Sequence, residues 1–227
     1  MARSNGTARN SRKSYNHPCL IAQTLDILGD RWTFLVLRDL MSGLHRYSEI
    51  LESCAGMSPN VLSDRLKLLQ AAGLVEREYQ RGLPPKVQYT LTDTGWSVRP
   101  ILMAMVEWGR KYLQDEPDES GGDPVPTDFV VRVVSTFAFN PASAGSVAAA
   151  IVIEIDDCGD FSAWTLRIDS GRLLPSRNSI NDPDVRLNTD TEGFLQFIRG
   201  QAAPEHCGSL SGDMEAARAI QSCFAAS

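Results

Sequence analysis

No apolar run in this 227-residue chain reaches 18 residues, which argues against a membrane-spanning helix. Met1 to Pro18 lacks the apolar core of a secretory signal, so a cytoplasmic location is expected. The three histidines, His17, His45 and His206, are scattered, and no Cys-x-x-Cys, His-x-x-x-His, Gly-x-Ser-x-Gly or glycine-rich phosphate loop occurs. Neither a metal, a cofactor nor catalysis is expected. The acidic pairs Asp156-Asp157 and Asp182-Pro183-Asp184 fall at strand ends or turns, where Asp is common for its own hydrogen bonding. Cys19, Cys54, Cys158, Cys207 and Cys223 make no disulfide framework for a cytoplasmic chain.

Charge is divided unevenly. Residues 1–115 carry 15 Lys+Arg against 11 Asp+Glu, a net of +4, and residues 116–227 carry 7 against 17, a net of −10. The overall −6 therefore conceals a basic first part. Arg3, Arg9, Arg12 and Lys13 give residues 1–16 the composition of a disordered basic arm. Gln114 to Pro124 has Pro, Gly, Ser and acid without apolar periodicity, which reads as a linker over residues 116–127. The chain has room for two domains, at 17–115 and 128–227, each large enough for its own core.

Met57 to Tyr89 is the most informative stretch. Ser58 can cap a helix, Pro59 fits its first position, and Gly73 ends it. Leu62, Leu66 and Leu69 recur at i, i+4 and i+7, flanked by Val61 and Leu68, as a single core-facing stripe. Asn60, Ser63, Asp64 and Lys67 occupy the opposite face. Such a helix can enter a major groove and offer amide, hydroxyl and ammonium groups to bases and phosphates. Leu74 to Tyr79 and Lys86 to Leu91 then read as two strands, joined by Gln80 to Pro85, which cannot continue a helix. This hairpin is a wing. Arg77, Arg81 and Lys86 lie on or near its tip, where phosphate contact adds affinity with little sequence information.

The flanking segments complete the unit. Cys19 to Leu28 is an apolar-periodic helix closed by Gly29, and Trp32 to Met41 is apolar enough to be the most buried helix of the domain. A short helix from about Tyr47 to Ser53 supplies the first half of a helix-turn-helix. After the wing, Thr92 or Asp93 can cap a long helix through Trp96, Ile101, Leu102, Met105, Trp108 and Tyr112, which Pro100 should kink or split. That helix has more apolar surface than a small domain covers alone, so a symmetric dimer is expected. Its two half-sites on DNA would be centred about 10 bp apart, or a multiple of that.

These residues resemble the HxlR-type winged helix-turn-helix regulators of bacteria, from about Cys19 to Leu113. The resemblance rests on Leu28-Gly29-Asp30-Arg31-Trp32-Thr33, Leu37-Arg38-Asp39-Leu40, Arg46-Tyr47-Ser48-Glu49-Ile50 and Met57 to Leu66. Gly73-Leu74-Val75-Glu76-Arg77, Pro85 to Thr92 and Glu107-Trp108-Gly109 extend it. Leu20 stands where the family usually has proline after the opening cysteine. The resemblance implies a homodimer built from the first and last helices, whose two recognition helices read an inverted repeat in double-stranded DNA. Arg46 and Ser58 then join Asn60, Ser63, Asp64, Lys67, Arg77, Arg81 and Lys86 as candidate DNA contacts. Some regulators of this type sense oxidants through the cysteine matching Cys19, and a helix N-terminus favours the reactive thiolate. Cys54, in the loop before the recognition helix, is the second candidate redox residue.

In the second half, Phe129 to Phe139, Val147 to Ile155, Ser162 to Ile168 and Val185 to Thr189 read as strands, and Thr191 to Arg199 and Asp213 to Phe224 as helices. Strands followed by helices argue for an α+β fold with helices on one face of a mostly antiparallel sheet. Trp164 to Ile168 with Gly171, Asp184 to Asp190, Phe194 to Gly200 and Gly208 to Asp213 resemble the sterol-carrier-protein-2 fold in diverged form. Gln201 to Cys207 is short for that family, and Ser209 replaces a usual lysine. The resemblance implies a cavity for an apolar small-molecule effector, lined or closed by Phe194, Leu195, Phe197, Ile198, Ile220 and Phe224. The same residue types at helical spacing also build ordinary cores.

Two functional classes follow. One is a dimeric, effector-responsive DNA-binding regulator. The other is a lipid-like ligand carrier or assembly module whose winged helix serves protein contacts. The polar outer face of the Pro59 helix and the basic wing favour DNA.

Overall fold

A computed structural model describes residues 14–81, 86–113, 126–157, 159–177 and 179–224. Most of the basic arm, nearly all of the linker, the wing turn at 82–85 and Cys158 lie outside the described residues.

The first half is a winged helix. Helices α1 (Leu20–Leu28), α2 (Thr33–Met41), α3 (Tyr47–Ser53) and α4 (Pro59–Ala71) precede the antiparallel hairpin β1 (Val75–Gln80) and β2 (Lys86–Leu91). Helix α2 buries Val36, Leu37, Leu40 and Met41 together with Thr33 and Asp39, as its apolar composition requires. Gly73, at φ +71°, turns the chain from α4 into β1, a conformation that costs a residue with a Cβ. Pro100 does split the following helix. Helix α5 (Asp93–Trp96) is capped by Thr92, whose Oγ1 accepts from Gly95 N at 3.0 Å, and α6 (Arg99–Tyr112) restarts with Pro100 in its first turn.

The segment read as the first strand of the second half is helical. It runs through α7 (Thr127–Phe129), a π-helical stretch at Val130–Val134 and α8 (Ser135–Ala138). The β-branched run Val-Val-Arg-Val-Val gave the strand signal, and tertiary packing overrides that propensity. Asp128 and Arg132 pair at i, i+4. Ser135 Oγ donates to Val131 O and Thr136 Oγ1 to Arg132 O, bonds that only a helical path allows. Asp128 also accepts from Trp164 Nε1 at 2.9 Å, which ties this helix to the sheet.

After α9 (Pro141–Ala144), strands β3 (Ala149–Asp157), β4 (Asp160–Asp169), β5 (Arg172–Ser176), β6 (Val185–Thr189) and β7 (Ser209–Gly212) form one sheet in the order β5-β4-β3-β6-β7. Among the described strands of this sheet, only the β3–β6 pairing is parallel. Helix α10 (Thr191–Arg199), a 3-10 turn at Pro204–His206 and α11 (Met214–Ser222) complete the chain order. Alternation sorts the faces. Ile151, Ile153, Ile155, Trp164, Leu166, Ile168, Val185 and Leu187 join the core with Phe194, Phe197 and Ile220 from the helices. The opposite face presents Glu154, which pairs with Arg186. The whole is α+β, with a winged helix at its N-terminal side.

The two halves pack against each other. Arg132 reaches Asp39 at 2.9 Å, Ser42 Oγ at 2.7 Å and Ser53 Oγ at 2.6 Å. Arg99 Nη2 donates to the carbonyls of Thr136 and Phe139, and Arg172 pairs with Asp93 at 2.8 Å. Gly43, at φ +91°, lies so close to β5 that a Cβ would stand 2.3 Å from the Pro175 carbonyl oxygen. Buried apolar residues run continuously from one half into the other.

Candidate nucleic-acid interface

Helix α4 is built to present one face. Its stripe is closed, with Leu62 at 0%, Leu66 at 1% and Leu69 at 0% exposure, while Asn60, Asp64 and Lys67 are exposed. Ser58 caps it, accepting from Val61 N at 3.4 Å. Ser63 is half-buried, and its Oγ lies 3.1 Å from the Tyr47 hydroxyl. That hydroxyl also donates to the Pro59 carbonyl at 2.5 Å, so α3 holds the N-terminal end of α4. Arg65 Nη1 lies 3.6 Å from Asp30 Oδ2, fixing α4 to the turn before α2. Tyr47 and Arg65 are positioning residues that periodicity could not identify, because their partners are distant in sequence.

Arg46 stands just before α3, its backbone N–H donating to Glu49 Oε2 at 3.0 Å and its side chain exposed. On the wing, Arg77, Arg81 and Lys86 are all exposed, and Lys86 faces Gln80 in the last described pair of the hairpin. The wing is anchored at its other edge. Tyr89 N donates to the His45 carbonyl at 2.8 Å, and His45 Nδ1 lies 3.1 Å from the Tyr89 carbonyl. The structure thus brings Asn60, Asp64 and Lys67 together on one outward helix face and sets the basic hairpin residues on a separate, projecting element.

A family model for the HxlR-like helix-turn-helix matches residues 27–117. A helix-turn-helix transcriptional regulator of Synechocystis sp. is 36% identical over 103 residues, covering 45% of this chain and 76% of that protein. The chain belongs to the HxlR-like helix-turn-helix family. A second relative, YkvN of Bacillus subtilis, named as a helix-turn-helix transcriptional regulator, is 37% identical over 98 residues, 43% of this chain and 83% of its own. The reduced transcriptional regulator YodB of B. subtilis has 32% identity and a TM-score of 0.39, covering 43% of this chain and 97% of that one. Each alignment covers under half of this chain. As an HxlR-type protein it is a DNA-binding transcriptional regulator and not an enzyme. Among the described residues, no helix is long and apolar enough to cross a membrane.

The two redox candidates differ sharply. Cys19 is exposed at the start of α1. Cys54 is buried, its Sγ donating to Asp39 Oδ2 at 3.3 Å. Burial first, and the Asp39 charge second, push its thiol up to about 12. The thiolate, which is the reactive form, is therefore disfavoured at Cys54. Of the six residues expected around a ligand cavity, Phe194, Phe197 and Ile220 are fully buried in the core of the second half, and Leu195 is partly buried against it. Ile198 and Phe224 reach a different cavity, at the boundary between the halves.

Proposed function

We propose that this HxlR-type regulator works as a homodimer on an inverted-repeat operator, with α4 in the major groove and the wing on the phosphate backbone. The observation that carries the reading is the outward row Asn60, Asp64 and Lys67, set directly behind a closed leucine stripe and flanked by exposed Arg77, Arg81 and Lys86. Ser58 and Ser63, at the N-terminal end of that helix, and Arg46, just before α3, would complete the contact set. The dimer would form through α1 and α6. Leu20 and Ile21 are 78% and 71% exposed, and Trp108 and Tyr112 each 56%, an apolar surface that a second copy would bury. Residues 17–115 would be the DNA-binding and dimerisation domain. Residues 128–227, which resemble the sterol-carrier-protein-2 fold, would be the effector-receiving domain for an apolar small molecule.

Selection of bound fragments from genomic DNA by the full chain, followed by footprinting, tests this directly. The expected footprint is two half-sites related by a dyad and centred about one helical turn, or a multiple of it, apart. A single isolated half-site, or no sequence enrichment at all, overturns the proposal.

A further inference from the structure

A cavity of about 840 Å³ lies between the halves, within the size range of small-molecule sites. Its walls come from both sides. Phe34 and Leu102 belong to the winged helix, and Val134, Phe137, Ile198 and Phe224 to the second half. Among the described lining residues the charged ones are Arg38, which pairs with Asp39, and Arg99, Arg110 and Arg199, set against the carboxylate of Glu107.

Arg99 is the most informative of the four. Its Nη2 donates to the Thr136 and Phe139 carbonyls, which fixes the guanidinium at the seam. Its Nη1 and Nε make no hydrogen bond to any described residue, and among the described residues it has no carboxylate partner. Burial lowers its pKa. A guanidinium whose remaining donors meet no described residue, beside an apolar hollow, suits a carboxylate attached to an apolar body.

The same wall leads to the DNA-reading helices. The π-helical stretch Val130–Val134 lends Val133 and Val134 to the cavity. From the same turn, Arg132 grips Asp39 on α2, Ser42 just after α2, and Ser53 at the end of α3, the helix that holds α4. Short π-helical turns recur at functional sites, where the extra residue re-aims side chains.

We propose that this inter-half cavity is the effector site, that it takes an amphipathic carboxylate with an apolar chain or ring, and that Arg132 carries its occupancy to α2 and α3. This deepens the reading of the chain as an effector-responsive regulator and rests on it. The ligand would sit against the winged helix itself rather than inside the second half.

The test uses dansyl-undecanoic acid and its methyl ester as fluorescent probes on the full chain, without DNA. Saturable binding of the acid is expected, weakened about tenfold or more by Arg99→Gln, while the ester's affinity stays within about twofold of wild type. Arg199→Gln, at an exposed position, should weaken the acid in the same direction and guards against a folding defect at Arg99. Met103→Trp, which fills the cavity from a half-exposed wall position, should weaken both probes. No saturable binding, equal affinity for acid and ester, or binding indifferent to Met103→Trp overturns the site. Operator affinity is then measured with and without the acid. A change of about fivefold or more in wild type, lost in Arg132→Met, is expected, and its absence in wild type overturns the effector role. A chain that binds operator but no probe refutes the cavity's assignment alone. One that binds the acid but no DNA refutes the operator reading alone.

Discussion

Arg132 and Asp39, 93 positions apart, form a buried ion pair 2.9 Å long across the seam between the two halves. Their side chains are 3% and 0% exposed, so neither charge has water to fall back on. Arg132 also donates to Ser42, Ser53 and Asp128, while Asp39 accepts from Arg38 and from the Cys54 thiol. Such a network is stable only when nearly every donor and acceptor is matched, because removing one member leaves the others buried and unpaired. Arg132→Met should therefore cost about 3 kcal/mol, the low end for breaking a buried pair, since Arg38 still holds Asp39. Urea denaturation of Arg132→Met, Asp39→Asn and the double variant measures it. The double variant should lose less than the sum of the single losses, and strict additivity would show that the pair contributes no coupling.

On the DNA side, backbone and base contacts separate by their salt response. Lys67→Ala or Arg81→Ala should weaken operator binding uniformly across sequences and reduce the salt slope by about one unit, as loss of one phosphate contact requires. Asn60→Ala should instead change preference among operator variants, by roughly 1–3 kcal/mol at the affected base pair. Fluorescence anisotropy over a salt series distinguishes the two. A Lys67→Ala chain that binds like wild type at every salt concentration would remove α4 from the groove.

The apolar faces of α1 and α6 predict assembly. Trp108 and Tyr112 lie with their rings tilted at 5.5 Å between centroids and each remain 56% exposed, an arrangement that wastes apolar area unless another surface covers it. Trp108→Asp should shift the chain to monomer at micromolar concentration and weaken operator binding. Sedimentation equilibrium checks the first and anisotropy the second. A wild-type chain that sediments as a monomer would defeat the prediction at once.

Much of the winged helix was legible because its signals are local. Ser58, Pro59 and the Leu62, Leu66, Leu69 stripe define α4, and Pro100 marks where the last helix breaks. In the second half, the alternation of Trp164 to Ile168 placed a strand correctly, and Asp190 and Gly200 bracket α10 as cap and stop. The failure at Phe129 to Phe139 has a definite cause. Four valines around one arginine look like a buried strand, and the buried partner of that arginine, Asp39, is far away in sequence. For the same reason no local signal announces the contacts that Arg132, Arg99 and Gly43 make between the two halves, or the buried apolar residues that run from one into the other. The cavity was out of reach on the same grounds, being made of residues from both halves.

Cys54 offers a test of that shared core through its thiol. Its pKa is near 12 in the folded chain, raised from an ordinary 9.0 mainly by burial and then by Asp39. The folded state therefore holds this proton more tightly than the unfolded state. Its stabilising share is complete below about pH 9, declines as pH rises through the interval to about 12, and is gone above it. Cys54→Ala should accordingly flatten the loss of stability across that alkaline interval, measured by urea melts at successive pH values. Burial also predicts reactivity. At neutral pH, iodoacetamide should label exposed Cys19 in the native chain, while Cys54 should be labelled only as fast as the protein opens, with peptide mapping assigning each site. If Cys54 is labelled as quickly as Cys19, the thiol is not held by Asp39, and the seam that carries Arg132 is looser than its hydrogen bonds imply.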